Sequence, residues 1–309
     1  MNILHIAMGS PEFDAAARDL GYEVQRIAWR DFLGRKFVSG HDARLQRKII
    51  ETAQTFRPDL VFVQTHQSDI IAPETYAALR AGGAFVVNWC GDVREPLPEC
   101  YVIYAAHVDV MAFSNLTDVE LIRAKGHRSE YLQIGYDPTI YHPGVVIRNR
   151  SGVVFMANHY AGRFPNTDLR EQVARKLSKL FDYKFTLYGS GWGIPSVRHT
   201  GTAQEEADIY RRSLVAVNVD HFTRPYFASD RILRAQACGC ATISWDYEGL
   251  KEEHPLVGRA TSIEEIVKMV KHALDNPAQA EQVGKASAAA TLENHTWRNR
   301  IATMETWMR

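Results

Sequence analysis

Hydrophobic and polar positions alternate in a regular way through the first 134 residues. Continuous apolar runs predict six buried strands, at 2–8, 24–29, 59–64, 84–89, 108–113 and 131–134. Apolar residues at helical spacing predict four amphipathic helices between them, at 12–20, 42–56, 73–80 and 117–125. Apolar strands that alternate with helices indicate a parallel sheet covered on both faces. This part of the chain therefore predicts a doubly wound α/β domain.

The same alternation starts again after 135–150, a segment rich in proline, glycine and polar residues. Further strands are predicted at 152–156, 183–188, 197–199, 214–219 and 241–245. Further helices are predicted at 167–181, 203–212, 230–238, 263–274, 278–292 and 295–308. We therefore expect two Rossmann-like domains, 1–140 and 141–292, that face each other across a cleft. The last segment, 293–309, is expected to form a helix that packs back on the first domain.

Composition and charge narrow the class of protein. The chain has 36 Lys and Arg residues and 36 Asp and Glu residues. This balance argues against a protein that binds nucleic acid through its overall charge alone, but it is compatible with a local basic groove. No apolar run reaches the roughly 18 residues that a membrane helix needs. The four cysteines form no CxxC pair, and no metal-ligand spacing is visible. We expect a cytoplasmic protein without a metal or a resident cofactor.

The stretch from 226 to 245 is the best candidate for anion binding. Ser229 and Asp230 are suited to cap a short helix, because their oxygens accept its first free amide hydrogens. A helix N-terminus attracts anions such as phosphate, and the guanidinium groups of Arg231 and Arg234 match phosphate oxygens. An ordinary helix and strand with solvent-facing arginines is the equal alternative.

Several segments resemble the GT-B glycosyltransferases, in particular the CgeB-like group-1 family of bacteria and tailed phages. The resemblance is carried by YLQIGYDPTIYHP (131–143), VVFMANHY (153–160), LYGSGW (187–192), SDRILRAQACGCATIS (229–244) and HTWRNR (295–300). The resemblance implies a GT-B fold and an enzyme that transfers a sugar from a nucleotide diphosphate sugar, which we expect to be a UDP sugar. It also implies a donor site in the second domain. The enzyme would act in the cytoplasm, and in the host cytoplasm if a phage encodes it. The donor-binding residues it predicts, together with the capping pair and the glycines after two strands, are Gly9, Asn158, His159, Arg163, Gly189, Ser190, Gly191, Ser229, Asp230, Arg231 and Arg234.

Alternatives stay open for several of these. Gly189, Ser190 and Gly191 are equally a tight turn, and His159 is more simply a hydrogen-bonding residue of a loop. The retaining enzymes of the superfamily carry two acidic residues eight positions apart, where this chain has Tyr226 and Arg234. Since arginine cannot accept a hydrogen bond from a ribose, this departure favours an inverting mechanism.

A second, weaker similarity is to the T-even phage DNA β-glucosyltransferase, at Asp92-Val93-Arg94-Glu95-Pro96. It implies that Asp92 is the base that deprotonates the acceptor hydroxyl. The residues agree, because Asp92 follows a buried strand at the edge where open α/β sheets bind ligands. Capping of the loop or an ion pair with Arg94 is the alternative. The acceptor-binding residues that we predict are Arg94, His66, Asp69, Arg35 and Lys36.

The acceptor itself has two candidates. Basic residues concentrate between 26 and 48, and Trp29, Phe32 and Phe37 lie among them, which would suit a hydroxymethylated base flipped from double-stranded DNA. A solvated helix face and aromatic residues that pack the loop explain the same pattern, and the acceptor would then be a surface glycan or a small molecule. A sugar-binding protein without activity on a GT-B scaffold is the alternative of another class, and a sugar epimerase of the same architecture is a further one.

Overall fold

The computed structural model describes residues 1–9, 11–33, 40–65, 67–144, 150–198 and 201–309. They form two compact units, each built on one parallel sheet. Unit 1 comprises Met1–Gly135 and Trp297–Arg309, and unit 2 comprises Tyr136–Thr296. The chain therefore passes from unit 1 to unit 2 after Gly135 and returns after Thr296.

Unit 1 has a six-stranded sheet with the strand order β2-β1-β3-β4-β5-β6. Its strands are β1 (Asn2–Ala7), β2 (Glu23–Ala28), β3 (Leu60–Gln64), β4 (Phe85–Cys90), β5 (Val110–Phe113) and β6 (Ser129–Tyr131). Its helices are α1 (Pro11–Asp19), α2 (Arg30–Leu33), α3 (Ala43–Phe56), α4 (Pro73–Ala81), α5 (Glu99–Ala105), α6 (Leu116–Ala124) and α13 (Trp297–Trp307).

The sheet of unit 1 separates two apolar clusters, because successive residues of a strand point to opposite faces. Leu4 and Ile6 of β1 pack with Ile49 of α3 on one face. Ile3 packs with Phe13 and Trp297 on the other. Each face is thus covered by helices, and β3 is buried at all five positions, with apolar residues at the first four and Gln64 at the last.

Unit 2 has a five-stranded sheet with the strand order β11-β10-β9-β7-β8. Its strands are β7 (Ser151–Met156), β8 (Phe185–Tyr188), β9 (Ser213–Asn218), β10 (Ala241–Trp245) and β11 (Gly258–Ala260). Its helices are α7 (Thr167–Phe181), α8 (Ala203–Arg212), α9 (Asp230–Ala237), α10 (Leu250–Glu253), α11 (Ile263–Asp275) and α12 (Pro277–Asn294).

The predicted fold class, two parallel-sheet α/β domains, is confirmed. The pattern missed the short elements α2, α5, α10 and β11. The predicted strand at 197–199 is reduced to one bridge between Val197 and Tyr188, and residue 199 lies outside the described residues. The expected cap of α9 by Ser229 was wrong. Ser229 occupies the cap position, but its hydroxyl makes no cap hydrogen bond and lies 3.5 Å from Asn218 Oδ1 instead.

Candidate functional site

The carboxyl edge of the unit 2 sheet has a topological switch point between β7 and β9. These strands are neighbours in the sheet, yet the chain visits β8 on the far side of β7 between them. Loops at such a point diverge and leave a crevice in which open α/β sheets bind ligands. The residues that follow the two strands here are Asn158 and His159 after β7, and Asp220 and His221 after β9.

Asp220 holds an arginine in place at this point. Its side chain is only 6% exposed, and its Oδ1 lies 2.9 Å from Nη2 of Arg231 in the first turn of α9. Its other oxygen accepts hydrogen bonds from Asn218 Nδ2 at 3.1 Å and from the Ser229 backbone amide at 3.4 Å. Because the carboxylate is satisfied on both sides, the guanidinium of Arg231 has a fixed orientation, with one fifth of its side chain still exposed.

A second arginine, Arg170, is buried beneath the same loops. Nη2 of Arg170 donates to the backbone carbonyl of Asn158 at 2.9 Å, and the guanidinium lies over the Phe155 ring at 5.9 Å. Its Nε and Nη1 are buried without a hydrogen-bond partner. Burial, with the charge of Arg231 as the next cause, lowers the pKa of Arg170 to about 9. The sequence reasoning missed Arg170, although helical spacing places it on the same face of α7 as the buried Val173 and Leu177.

Neutral imidazole and aromatic rings line the neighbouring surface. His221 packs against Phe164 and Tyr160, with ring centroids 4.5 and 5.4 Å apart. Burial, followed by the charges of Arg170 and Arg231, lowers the pKa of His221 to about 3. The side chain is therefore uncharged at neutral pH, which is how the site accommodates it beside two arginines. Tyr160 is 40% exposed and completes this ring cluster.

The glycines after β8 are required by the backbone of the loop after β7. A Cβ atom on Gly189 would lie 1.9 Å from the carbonyl oxygen of Ala157, and one on Gly191 would lie 2.3 Å from that of His159. Both glycines also have positive φ. Asn158 Oδ1 accepts from the amide and the hydroxyl of Ser190, at 2.9 and 3.2 Å. The predicted tight turn is thus present, and it locks the two loops together.

The histidine of this loop has a hydrogen-bond partner at Nδ1, whereas its buried Nε2 makes no hydrogen bond among the described residues. Nδ1 of His159 lies 3.2 Å from the carbonyl oxygen of Gly191, and Nε2 lies 3.4 Å from Glu171. The ring also packs on Trp192, with centroids 5.0 Å apart. These contacts match the interpretation of His159 as a hydrogen-bonding residue of the loop.

The other predicted cations of unit 2 have different surroundings. Arg163 is exposed on the loop after β7, with its guanidinium over the rings of Tyr160 and Phe164. Arg234 is instead held between two carboxylates, with Nη1 at 3.0 Å from Glu206 and Nη2 at 2.8 Å from Asp230. Arg234 and Asp230 thus satisfy each other, whereas Arg231 and Arg163 remain open to a ligand.

In unit 1, Asp92 follows β4 at the carboxyl edge of the sheet, as predicted. Its Oδ2 lies 2.9 Å from Nη2 of Arg94, and its side chain is 56% exposed. The alternative of an ion pair with Arg94 is therefore realised, and the carboxylate stays accessible. Asp69 is exposed with a positive φ, and Gly9 follows β1 with open space around it. His66, Arg35 and Lys36 lie outside the described residues.

Two aromatic candidates for contact with a flipped base belong to the core instead. Trp29 is 4% exposed and Phe32 is partly buried against the same apolar cluster of unit 1. Arg44 from the basic region pairs with Asp42 and donates to the carbonyl of Phe32. Packing of the loop is therefore the correct interpretation for these two rings, and Phe37 lies outside the described residues.

The described residues also bear on metals and membranes. Among them, no group of three or more His, Cys, Asp or Glu side chains is arranged to hold a metal ion. In the same part of the chain, no helix has the length and apolar character to cross a membrane.

Comparison with known proteins identifies the domain type. Residues 168–306, less than half of the chain, match the family model described as glycosyl transferase-like. This part of the chain is therefore similar to a glycosyltransferase domain. The prediction of a glycosyltransferase is thereby confirmed, whereas the CgeB-like and phage-type assignments stay predictions. No curated protein sequence matches the chain.

Solved structures show the same fold at low identity. Each of the three structures named here aligns with 99% of this chain. One is a glycosyltransferase from Rickettsia africae, with 10% sequence identity, a TM-score of 0.65 and 97% of its own chain covered. Another is sucrose-phosphate synthase from Thermosynechococcus elongatus, with 11% sequence identity, a TM-score of 0.58 and 98% of its own chain covered. A third is HepE from Anabaena in complex with UDP-glucose, with 11% sequence identity, a TM-score of 0.59 and 99% of its own chain covered. The GT-B fold that we predicted is confirmed.

Proposed function

We propose that this protein transfers a sugar from a UDP sugar to an acceptor hydroxyl, and that unit 2 binds the donor. The observation that carries the proposal is the fixed Arg231 guanidinium at the switch point, held by Asp220 at 2.9 Å. A guanidinium whose orientation is already set stabilises the charge that develops on a departing diphosphate. The structure of HepE with UDP-glucose supports uridine as the nucleotide.

The reaction needs a base as well as an anion site. We assign this role to Asp92, which lies at the carboxyl edge of β4 with an accessible carboxylate. The acceptor oxygen attacks the anomeric carbon while its proton passes to Asp92. The bond between the anomeric carbon and the diphosphate oxygen breaks, and the UDP leaves with the electron pair. Direct attack of this kind inverts the anomeric centre, which agrees with Tyr226 and Arg234 at the two positions where retaining enzymes carry acids.

The acceptor class is decided by a transfer assay. Purified protein is incubated with labelled UDP-glucose and, in parallel, with hydroxymethylcytosine DNA, unmodified DNA and a panel of glycans. Transfer to hydroxymethylated DNA alone would identify the DNA-modifying enzyme. We give greater weight to a glycan or small molecule, because Trp29 and Phe32 are committed to the core. UDP binding without transfer or donor hydrolysis in every arm would instead identify a sugar-binding protein, and epimerised UDP sugar would identify an epimerase.

A further inference from the structure

Arg170 is a buried cation without a counter-ion of its own. Its relative exposure is 0%, and among the described residues no carboxylate lies within ion-pair distance of its guanidinium. Only one of its three nitrogens has a partner, the carbonyl of Asn158. Burying a charge in this way is expensive, and structural arginines in protein interiors are normally paired. The arrangement therefore costs stability in the free protein.

The surroundings of Arg170 point to the missing negative charge. The helix that carries Arg170, α7, begins beside the loop after β9. The backbone amide of Asn166, just before α7, donates to the backbone carbonyl of His221 at 3.1 Å. The side-chain amide of Asn166 donates to the backbone carbonyl of Asp220 at 3.0 Å. Asp220 is the carboxylate whose charge raises the pKa of Arg170, but it is already paired with Arg231 and not with Arg170. The charge around the switch point is left net positive, and the neutral His221 does not change that balance.

We propose that Arg170 is a positioning residue for the donor, and that the diphosphate bound at Arg231 supplies the negative charge which the free protein lacks there. This inference rests on the proposed function and deepens it. Arg170 acts from beneath the loop after β7, through its field and through its hydrogen bond to the Asn158 carbonyl. Because Arg170 is fully buried, its charge is screened much less than that of an exposed arginine. The lowered pKa of about 9 is what an uncompensated buried guanidinium beside Arg231 produces.

A purely structural arginine would behave differently on substitution. Replacing a buried charge by an apolar side chain of similar volume is often neutral or stabilising when the charge has no good partner. We therefore expect Arg170→Met to leave the melting temperature of the free protein unchanged or to raise it by about 2 to 4 °C. The same substitution should weaken UDP binding about tenfold or more, the scale of a lost charge interaction in a dry site. Stability and affinity would change in opposite directions.

The experiment measures melting temperature and UDP affinity by calorimetry for the wild-type protein and three variants. Arg170→Lys restores the charge only at a pH low enough to keep a buried lysine protonated, so affinity is also measured at pH 6, where this variant should bind UDP within about threefold of wild type. Lys176→Met removes an exposed cation from the same helix and is the matched control, with both quantities unchanged.

The outcomes are distinct. Weaker UDP binding by Arg170→Met without loss of stability, with recovery in Arg170→Lys, supports the inference. Wild-type affinity in Arg170→Met overturns it, and so does a joint loss of stability and affinity in both Arg170 variants. If the wild-type protein itself binds no UDP or other nucleoside diphosphate, the proposed function fails first and the inference fails with it.

Discussion

Nη2 of Arg231 lies 2.9 Å from Oδ1 of Asp220, and this pair joins the first turn of α9 to the end of β9. The pair couples stability to ligand binding, because Asp220 is buried and Arg231 is not fully covered. Loss of the arginine leaves a buried carboxylate alone. Loss of both partners leaves a neutral, well-packed site without the means to bind an anion. These two effects can be separated by mutation.

We expect Arg231→Gln to destabilise unit 2 by about 3 kcal/mol, the cost of leaving one partner of a buried pair alone. The double variant Arg231→Gln with Asp220→Asn should regain most of this stability, because the side chains are then neutral and hydrogen-bonded. It should still bind UDP at least about tenfold more weakly than wild type. Urea unfolding and calorimetry measure the two quantities, and a double variant with wild-type affinity would exclude Arg231 from the donor site.

Asp92→Asn tests the proposed base. The amide keeps the shape of the side chain but cannot take a proton, so transfer should fall about a hundredfold or more while UDP affinity stays at the wild-type value. Initial rates with a labelled donor measure the loss. Glu120→Gln, at an exposed carboxylate on α6 of the same unit, is the control and should not change the rate. Near-native transfer by the Asn variant would remove Asp92 from the mechanism.

Gly189→Ala should disrupt the loop after β8. The added methyl group would lie 1.9 Å from the carbonyl oxygen of Ala157, at a φ of +128° that side chains disfavour. We expect a loss of about 2 to 4 kcal/mol in the free energy of unfolding, with weaker UDP binding because Asn158 and His159 must shift. Gly201→Ala, where no atom of the described residues lies within 4 Å of the added methyl group, should be nearly neutral. Equal stability of the two variants in urea would contradict the close approach.

Arg234 is expected to matter for stability more than for the donor. Its guanidinium is held by Glu206 and Asp230, and it lies over the Tyr141 ring at 5.1 Å. Arg234→Met should therefore cost about 3 kcal/mol in unfolding free energy, because Glu206 remains buried without its cation. At a temperature where the variant is folded, its UDP affinity should lie within about threefold of wild type. A larger loss of affinity than that of the Arg231 double variant would restore Arg234 to the donor site.

The lowered pKa of His221 gives a pH-dependent stability with a defined sign. The folded protein has a pKa of about 3 at this imidazole, against an ordinary value of 6.5. Between these values the unfolded chain binds a proton that the folded chain does not, so the contribution of neutral His221 is complete above pH 6.5. It is lost as the pH falls toward 3. His221→Gln should therefore lose less stability than wild type between pH 7.5 and 4.5, as measured by urea midpoints.

The control for this prediction is His41→Gln, at an exposed histidine of unit 1. It should follow the wild-type pH profile. A His221→Gln profile that is parallel to wild type would show that His221 is protonated in the folded protein.

How far the sequence predicts this structure differs between the scaffold and the site. Strands such as β3 and β9 are predictable because burial on both faces requires an unbroken apolar run. Edge strands carry a weaker signal. β6 is three residues long and begins two positions before the predicted run, since its register is set by pairing with β5 rather than by its own composition.

The hydrophobic pattern predicts the residues of the candidate site less completely than it predicts the strands. Asp220 directly follows a buried strand, the same signal that singled out Asp92, so it was available in the sequence and was missed. Arg170 lies at helical spacing from the buried Val173 and Leu177, but the pattern alone does not show whether an arginine at such a position is buried or reaches solvent with its charged end. The pairing of Arg234 with Glu206 likewise joins two helices that only the sheet topology brings together.

Unit 1 is completed by a segment that follows the whole of unit 2 in the chain. Trp297 of α13 packs edge-on against Phe13, Phe62 and Trp89, with ring centroids 5.6 to 6.4 Å apart. All the residues of unit 2 precede it in the chain, so unit 2 can finish folding while this aromatic cluster still lacks one of its rings. Until α13 is synthesised, the earlier residues of unit 1 should therefore expose an apolar surface to which chaperones can bind. A nascent chain halted before α13 should be the species that chaperones retain.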